Sequence, residues 1–361
     1  MLIRIISLIF GLAMSVAVLA DELTLNSDAP KTYIVKKGDT LWDISGIFLK
    51  QPWLWPKLWR FNPEINNPHL IYPGDELRLV FDENGQPMLV RGKPELKWSP
   101  SVRKQLKDQN PVSTLPLQVV APFIRYDHVK TAEELNLLPY IIGSDEGNKS
   151  SLDGYKVYVN SDLVIGQSYG VYHKGSEIID PETSESLGFN VKLVGTGKAT
   201  QRGDMSQKQP STVYLEGVIR EVRSGAYVVP VNDEQQYPSI FTMRAGSETK
   251  GLIVSSVTEL REFAKYDVVM INRGNVQNVQ AGDVLTVSRK SPAVVETDEG
   301  PQYTSDTSRW NRMASANNSD YDMPAEPIGQ VMIFRVYDNV SMALILSSEK
   351  PLRVLDGVTA P

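Results

Sequence analysis

The sequence predicts a multidomain α+β protein, with a small β-α-α-β module near its start and a mainly-β C-terminal region of small barrel or sandwich units. Three observations predict it. Between residues 32 and 80, two short runs with helical periodicity lie between two β-prone runs. From 155 to 347, successive runs rich in Val, Ile and Tyr are separated by Gly, Asn or Asp, the spacing of small all-β units. The 25 Gly and 23 Pro call for many turns. A length of 361 residues leaves room for two or three domains.

The first 20 residues read as an address. Arg4 supplies a positive charge, Ile5 to Leu19 is almost wholly apolar, and Val18-Leu19-Ala20 precedes Asp21. That order fits a secretory signal peptide with cleavage near Ala20. The apolar run is shorter than the roughly 20 residues of a membrane helix; an uncleaved anchor is the alternative reading. No later segment is apolar enough to span a bilayer, so the expected mature chain has no transmembrane span.

The module at 32–80 follows from its residues in order. Tyr33-Ile34-Val35 is a strand and Lys37-Gly38-Asp39 a turn. Thr40 with Asp43 forms a T-x-x-D helix start. Leu41, Ile44 and Phe48 repeat at helical spacing. Pro52 and Pro56 fit only before or within the first turn of a second helix, whose apolar stripe is Leu54, Leu58 and Phe61 and which Asn62-Pro63 ends. Ile71 to Asp75 is a turn, and Glu76 to Val80 alternates as a strand. Residues 81–116 read as a linker. Within it Met88-Leu89-Val90 extends the strand pairing and Ser101 to Lys107 has the makings of a short helix.

With YIVKKGDTLWDIS at its front and NPHLIYPGDELRL at its back, this module resembles the LysM domain family. The resemblance implies binding of glycans containing N-acetylglucosamine, peptidoglycan in bacteria. It implies a shallow groove between Gly38-Asp39-Thr40-Leu41 and Asn67-Pro68-His69-Leu70-Ile71-Tyr72. An N-acetyl group offers an amide donor, a carbonyl acceptor and a methyl. Backbone near Gly38 and Leu70 suits the amide, and Leu41, Ile71 or Tyr72 suits the methyl or a sugar face. His69 reads as a sugar donor or as an incidental loop histidine. Each contact contributes only about 1 kcal/mol, so firm attachment requires several sites along the polymer. Four of the six Trp stand at 42, 53, 55 and 59. They read either as sugar-stacking surfaces or as the core of a small module, which needs large side chains.

Beyond the linker, Ala132 to Leu138 reads as a short helix. Strand-like runs follow at 155–160, 167–173, 189–196, 213–222, 226–231, 251–258, 267–272, 284–289, 328–337 and 340–347. They divide into a β-rich domain at 117–235 and a second at 236–361, the latter with a mobile loop at 291–326 carrying Trp310. Two pieces look faintly repeated, which reads either as a duplication or as the chance likeness of alternating β sequences. Lys156 to Asn160 resembles Val268 to Asn272, Ile165 to Tyr172 resembles Ala281 to Val287, and Leu187-Gly188 with 189–196 resembles Ile328-Gly329 with 330–337. The offsets are 112, 116 and 141 residues. The stretches from Val276 and Pro327 are similar to the C-terminal β domain of the flagellar assembly protein FlgT. Signal peptide, LysM module and β tail together resemble the type IV pilus secretin-associated (TsaP) family. That resemblance implies a periplasmic protein that holds peptidoglycan and meets an outer-membrane secretin.

Composition weighs against catalysis. Cysteine is absent, which removes thiol nucleophiles, disulfides and thiolate metal sites. The three histidines are scattered, so no clustered zinc set can be written. A glycosidase needs only two carboxylates, but Asp127 and Glu133 stand in no recognisable motif. Gly195-Thr-Gly-Lys198 lacks the first glycine of a phosphate loop, and Asp320 with Asp322 is too little for a calcium loop. A net charge of −6 gives no basic field for nucleic acid. The reading is a non-catalytic binding protein without cofactor or metal. A cell-wall hydrolase and a general wall-bound scaffold with another envelope partner are the alternatives.

Overall fold

The computed structural model describes residues 23–59, 71–92, 129–231, 243–246, 249–258, 260–297, 300–303, 321 and 323–361. It divides into two units at Leu115/Pro116. The signal segment, the helix expected at 101–107, Phe61 and Trp310 lie outside the described residues.

In the first unit, strand β1 (Thr32–Ile34) leads to helix α1 (Leu41–Phe48), a 3-10 turn (Pro52–Leu54) and helix α2 (Trp55–Trp59). Strands β2 (Glu76–Phe81) and β3 (Pro87–Arg91) complete an antiparallel sheet of order β1-β2-β3. Helix α1 starts where the Thr40 hydroxyl accepts from Asp43 N–H and the Asp43 carboxylate accepts from Thr40 N–H, a full capping box. Its buried stripe is Leu41, Ile44 and Phe48. Pro52 opens the 3-10 turn and Pro56 sits in the first turn of α2, where a missing N–H costs nothing. All four module tryptophans are buried, so they form the core.

Strand β3 corrects the linker reading for 81–116. Leu89 pairs with Leu79 and is 1% exposed, so the alternation of 87–91 completes the module's core. A tight turn permits this: the Asp82 carboxylate accepts from the N–H groups of Asn84 and Gln86. The module also begins before β1. Leu25 bridges to Leu49, and the Asn26 amide donates to the carbonyls of Gly46 (2.8 Å) and Ile47 (3.3 Å). These are carbonyls that the end of α1 leaves without helical partners. Asn26→Ala is therefore expected to cost the module about 1 kcal/mol, measurable as a shift of its denaturant midpoint at unchanged slope.

The second unit is built from two closed six-stranded barrels. Before the first come β4 (Val129–Lys130) and helix α3 (Ala132–Leu137), capped by Thr131 and Glu134. The first barrel uses β5 (Ile141–Ser144), β7 (Lys156–Val159), β8 (Ser168–Ile179), β9 (Ser186–Gln201), β10 (Ser211–Glu216) and β12 (Tyr227–Pro230). Its order is β12-β8-β9-β10-β7-β5. Ile141 closes the ring by donating to Ala226 O (2.8 Å) and accepting from Gly225 N–H (2.7 Å). The short pair β6 (Ser150–Ser151) and β11 (Val222–Arg223) lies outside that ring.

The second barrel uses β14 (Gly251–Ser256), β16 (Val268–Ile271), β17 (Asp283–Lys290), β20 (Ala325–Val336), β21 (Ser341–Ser348) and β23 (Gly357–Thr359). Its order, β23-β17-β20-β21-β16-β14 with β14 returning to β23, is that of the first barrel. Strand β13 (Arg244–Ala245) adds to β17, and β15 (Glu262–Phe263) pairs β22 (Leu352–Arg353) as β6 pairs β11. Inward side chains fill both rings: Val157, Val171, Val213 and Val228 in one, Val269, Val287, Ala343 and Val358 in the other.

The duplication holds bond by bond. Tyr140 N–H reaches the Asn160 side-chain oxygen (2.7 Å), and Leu252 N–H reaches that of Asn272 (2.6 Å). Gly166 N–H donates to Ala199 O, and Gly282 N–H to Ile333 O. Gly154 (φ +85°) and Tyr266 (φ +74°) both take positive φ at matching turns. These pairs fix the offsets as 112, 116 and 134 along the chain. The expected third offset of 141 is thus corrected. Gly195 pairs with Val171 as Gly329 pairs with Val287, so the partner of Ile328-Gly329 is Val194-Gly195, seven residues after Leu187-Gly188. Two apolar-glycine pairs on one long strand made the register ambiguous.

The loop expected at 291–326 is corrected in part. It contains a hairpin of β18 (Val294–Thr297) and β19 (Gly300–Tyr303), and Ser291 N–H donates to Pro324 O at its base. Val295 is 2% exposed, so an apolar residue within the polar stretch anchors it.

Candidate glycan-binding loops

Two loops of the first unit are tied together by the backbone of one residue. Val35 N–H donates to Asp75 O (2.9 Å), and Val35 O accepts from Gly74 N–H (2.8 Å). This holds the turn after β1 beside the turn before β2.

Each turn is closed the same way. In the first, the Asp39 carboxylate accepts from Lys36 N–H (2.7 Å) and from the Tyr33 hydroxyl (2.9 Å). In the second, the Asp75 carboxylate accepts from Tyr72 N–H (3.0 Å) and pairs with the Arg91 guanidinium (3.1 Å). In both, an aspartate reaches back three residues and a glycine precedes it. Gly38 has φ +93° and Gly74 φ +91°, a region that other residues enter only with strain. The two Gly-Asp pairs are the sequence signal that these loops are built alike.

Burial sorts the expected groove residues. Gly38 is exposed, and Asp39 and Tyr72 are half-buried. Thr40 (5%), Leu41 (3%) and Ile71 (0%) are buried. The expectation that the Leu41 or Ile71 side chain receives a sugar methyl is therefore corrected: both pack inward with the core, and only their backbone is left for a ligand. Asn67, Pro68, His69 and Leu70 lie outside the described residues. Tyr33, Asp75 and Arg91, absent from the expected set, prove to be the residues that hold the loops in shape.

Burial, the hydrogen bond to Asp39 and the charges of Asp39 and Asp43 push the Tyr33 hydroxyl up to about 12. It stays protonated, and so stays a donor to Asp39, throughout the neutral range. Among the described residues no group of three or more His, Asp or Glu could hold a metal ion, and no helix is long and apolar enough to cross a membrane.

Comparison with known proteins bears on these loops. Residues 33–80 match the LysM domain family. Over 64 residues the chain is 42% identical to the uncharacterized protein YqbP of Bacillus subtilis (strain 168), covering 15% of this chain and 29% of that protein. The chain therefore spans less than a third of that relative's length. Residues 33–80 are a LysM domain, which implies binding of carbohydrate of the peptidoglycan class.

Proposed function

We propose that the chain is a non-catalytic, periplasmic peptidoglycan-binding protein, exported by residues 1–20 and cleaved near Ala20. The observation that carries this reading is the pair of Asp-closed loops that Val35 holds side by side. Rigid loops offer backbone donors and acceptors in fixed positions, so little ordering entropy opposes sugar binding. The described part of the groove is Gly38 to Leu41 with Ile71 and Tyr72; Asn67 to Leu70 would complete it. Domain bounds of 117–235 and 236–361 belong to the same proposal, with the glycan-binding module widened from 32–80 to take in Leu25 and strand β3.

The test is co-sedimentation of the chain from Asp21 onward with purified sacculi. Pelleting with sacculi is expected, and its loss on deletion of 23–92. Equal pelleting of the deleted chain removes the assignment. Asp39→Ala frees the Lys36 N–H and the Tyr33 hydroxyl, and is expected to weaken binding about tenfold, roughly 1.4 kcal/mol. Sacculus turbidity is expected to stay constant; a steady fall would instead make the protein a wall hydrolase.

For the β barrels, the proposed partner is an outer-membrane secretin of a type IV pilus. The resemblance of the whole architecture to secretin-associated proteins supports it. Co-purification of tagged chain with a secretin in mild detergent tests it. Capture of a different envelope protein in place of the secretin would leave a general wall-bound scaffold.

A further inference from the structure

The duplication lets each barrel be compared with the other. One difference is the contact between them. The hairpin of β8 and β9 runs past the first barrel as an arm and covers the outer face of β14 and β16, where Ile178, Leu187 and Val129 pack against Val254, Val340 and Met270. A polar clasp completes that contact: the Asn272 amide donates to Asp180 (2.8 Å) and Glu182 (2.9 Å), and Arg273 pairs with Glu182 at 2.6 Å. The other difference lies at the mouth of each barrel, where β16 and β20 end and β17 and β21 begin in the second.

In the first barrel a serine pins this mouth. Ser211 Oγ accepts from Leu163 N–H (2.9 Å) and Gly203 N–H (2.8 Å), and its hydroxyl donates to Ser161 O. Ser341 is its counterpart, since Ser211 pairs with Val159 as Ser341 pairs with Ile271. Ser341 is 0% exposed, yet its hydroxyl has no partner among the described residues. The loop beside it is longer. Between the matching asparagines and the matching glycines the offset grows from 112 to 116, so the second barrel carries four more residues there. They wind into the 3-10 turn Asn275–Gln277, where Asn275 N–H donates to Tyr337 O (2.8 Å) and Val276 N–H to Asp338 O (3.0 Å). A wall fixed to the end of β20 thus replaces the pin.

This turn borders a cavity of about 350 Å³, within the roughly 300–1,000 Å³ of small-molecule sites. Its apolar lining is Val279, Ala281 and Val336, and Val336 stands across from Ser341. Its polar lining includes Asn275, Gln280 and Asp338. Arg244 donates to Gln280 Oε1 (2.6 Å), which leaves the amide nitrogen as the end for a ligand. The Asn275 amide and the Asp338 carboxylate make no side-chain bond among the described residues. Donors and acceptors therefore stand beside an apolar floor, and no lysine or arginine lines the cavity. That set does not suit a phosphate, which calls for cations. It suits hydroxyl groups, each of which donates and accepts. We propose that the cavity takes a neutral sugar ring, its hydroxyls bonded to Asn275, Gln280 and Asp338 and its carbon face on Val279, Ala281 and Val336. The site is separate from the LysM loops and does not depend on their function.

Amide NMR shifts of the chain from Asp21 onward, titrated with glucose, N-acetylglucosamine, alanylalanine and inorganic phosphate, test this. Either sugar is expected to move the signals of residues 275–281 and 337–338, with a Kd of about 1–10 mM, the ordinary affinity of so small a ligand. Signals of Gly38 to Leu41 report the LysM loops independently in the same spectra. Ala281→Trp, at an exposed position, fills the cavity and should abolish the 275–281 shifts with an unchanged melting temperature. Asn275→Ala and Asp338→Ala should each weaken the sugar about fivefold, one hydrogen bond apiece. Still signals at 275–281 with both sugars up to ~100 mM overturn the proposal. So does sugar binding that survives Ala281→Trp, and so do larger shifts with the dipeptide or phosphate than with either sugar.

Discussion

Phe48→Ala is expected to unfold the LysM domain and abolish sacculus binding while leaving both barrels folded. Phe48 is 0% exposed and meets Tyr33 edge-on, with ring centroids 6.5 Å apart. Its carbonyl also accepts from Asn26 N–H, so it joins the N-terminal strap, the helix and the sheet. Truncating a buried Phe costs about 3–5 kcal/mol. A domain of this size has only a few kcal/mol in total, at roughly 0.05–0.15 kcal/mol per residue. The loss therefore takes most or all of its stability. Tyr33 would lose its packing partner and with it the fixed donor that closes the Asp39 loop. Two thermal transitions should resolve in the wild-type chain, and the variant should lose the one belonging to the LysM domain. Phe48→Leu, which keeps most of the volume, should retain both transitions. Undiminished pelleting by an unfolded Phe48→Ala domain would show that the sugar contacts lie elsewhere in the chain.

The sequence shows this domain well because its local signals agree. Thr40 and Asp43 mark the helix start, Leu41, Ile44 and Phe48 its buried face, and two Gly-Asp pairs its turns. Single-residue chemistry sets each of these, so no distant partner has to be known. The groove is less legible. A pattern search treats Leu41 and Ile71 as binding residues because they sit in the loops, whereas packing turns their side chains inward. Arg91 lies in a stretch that reads as linker, and only the fold brings it to Asp75.

In the barrels, every one of the ten long runs appears as a strand, because alternation of Val, Ile and Tyr survives any error in end points. The strands that close the rings were not visible. Ile141–Ser144 and Gly357–Thr359 are four and three residues long, and their pairing lies with residues far away in sequence. Barrel or sandwich is decided by those closures, so the sequence left it open. Duplication was detectable where Asn160 and Asn272 end matching strands. It slipped by seven residues on β9, where Leu187-Gly188 and Val194-Gly195 look alike.

That duplication supplies its own control for the contact between the barrels. Asn160 and Asn272 make the same closing bond to the neighbouring strand, but only Asn272 also holds Asp180 and Glu182 of the arm. Asn160→Ala is expected to cost about 1 kcal/mol, one hydrogen bond. Asn272→Ala removes that bond and also leaves the Asp180 carboxylate, 6% exposed, short of a donor, so about 3 kcal/mol is expected. The difference between the two variants measures the clasp. Acid should act on the same contact. Burial alone would raise the Asp180 carboxyl, but the Glu182 N–H, the Asn272 amide, the Arg273 charge and Thr183 outweigh it and hold the group below its ordinary value. A carboxyl lowered by folding stabilises the fold above the unfolded-state pKa, near about 4, and loses that contribution as pH falls through the folded-state value. Denaturant midpoints should therefore drop more steeply below about pH 4 in the wild-type chain than in Asp180→Asn, which keeps an acceptor but does not titrate. Parallel pH profiles for the two would mean that the arm is held by Ile178, Leu187 and Val129 alone.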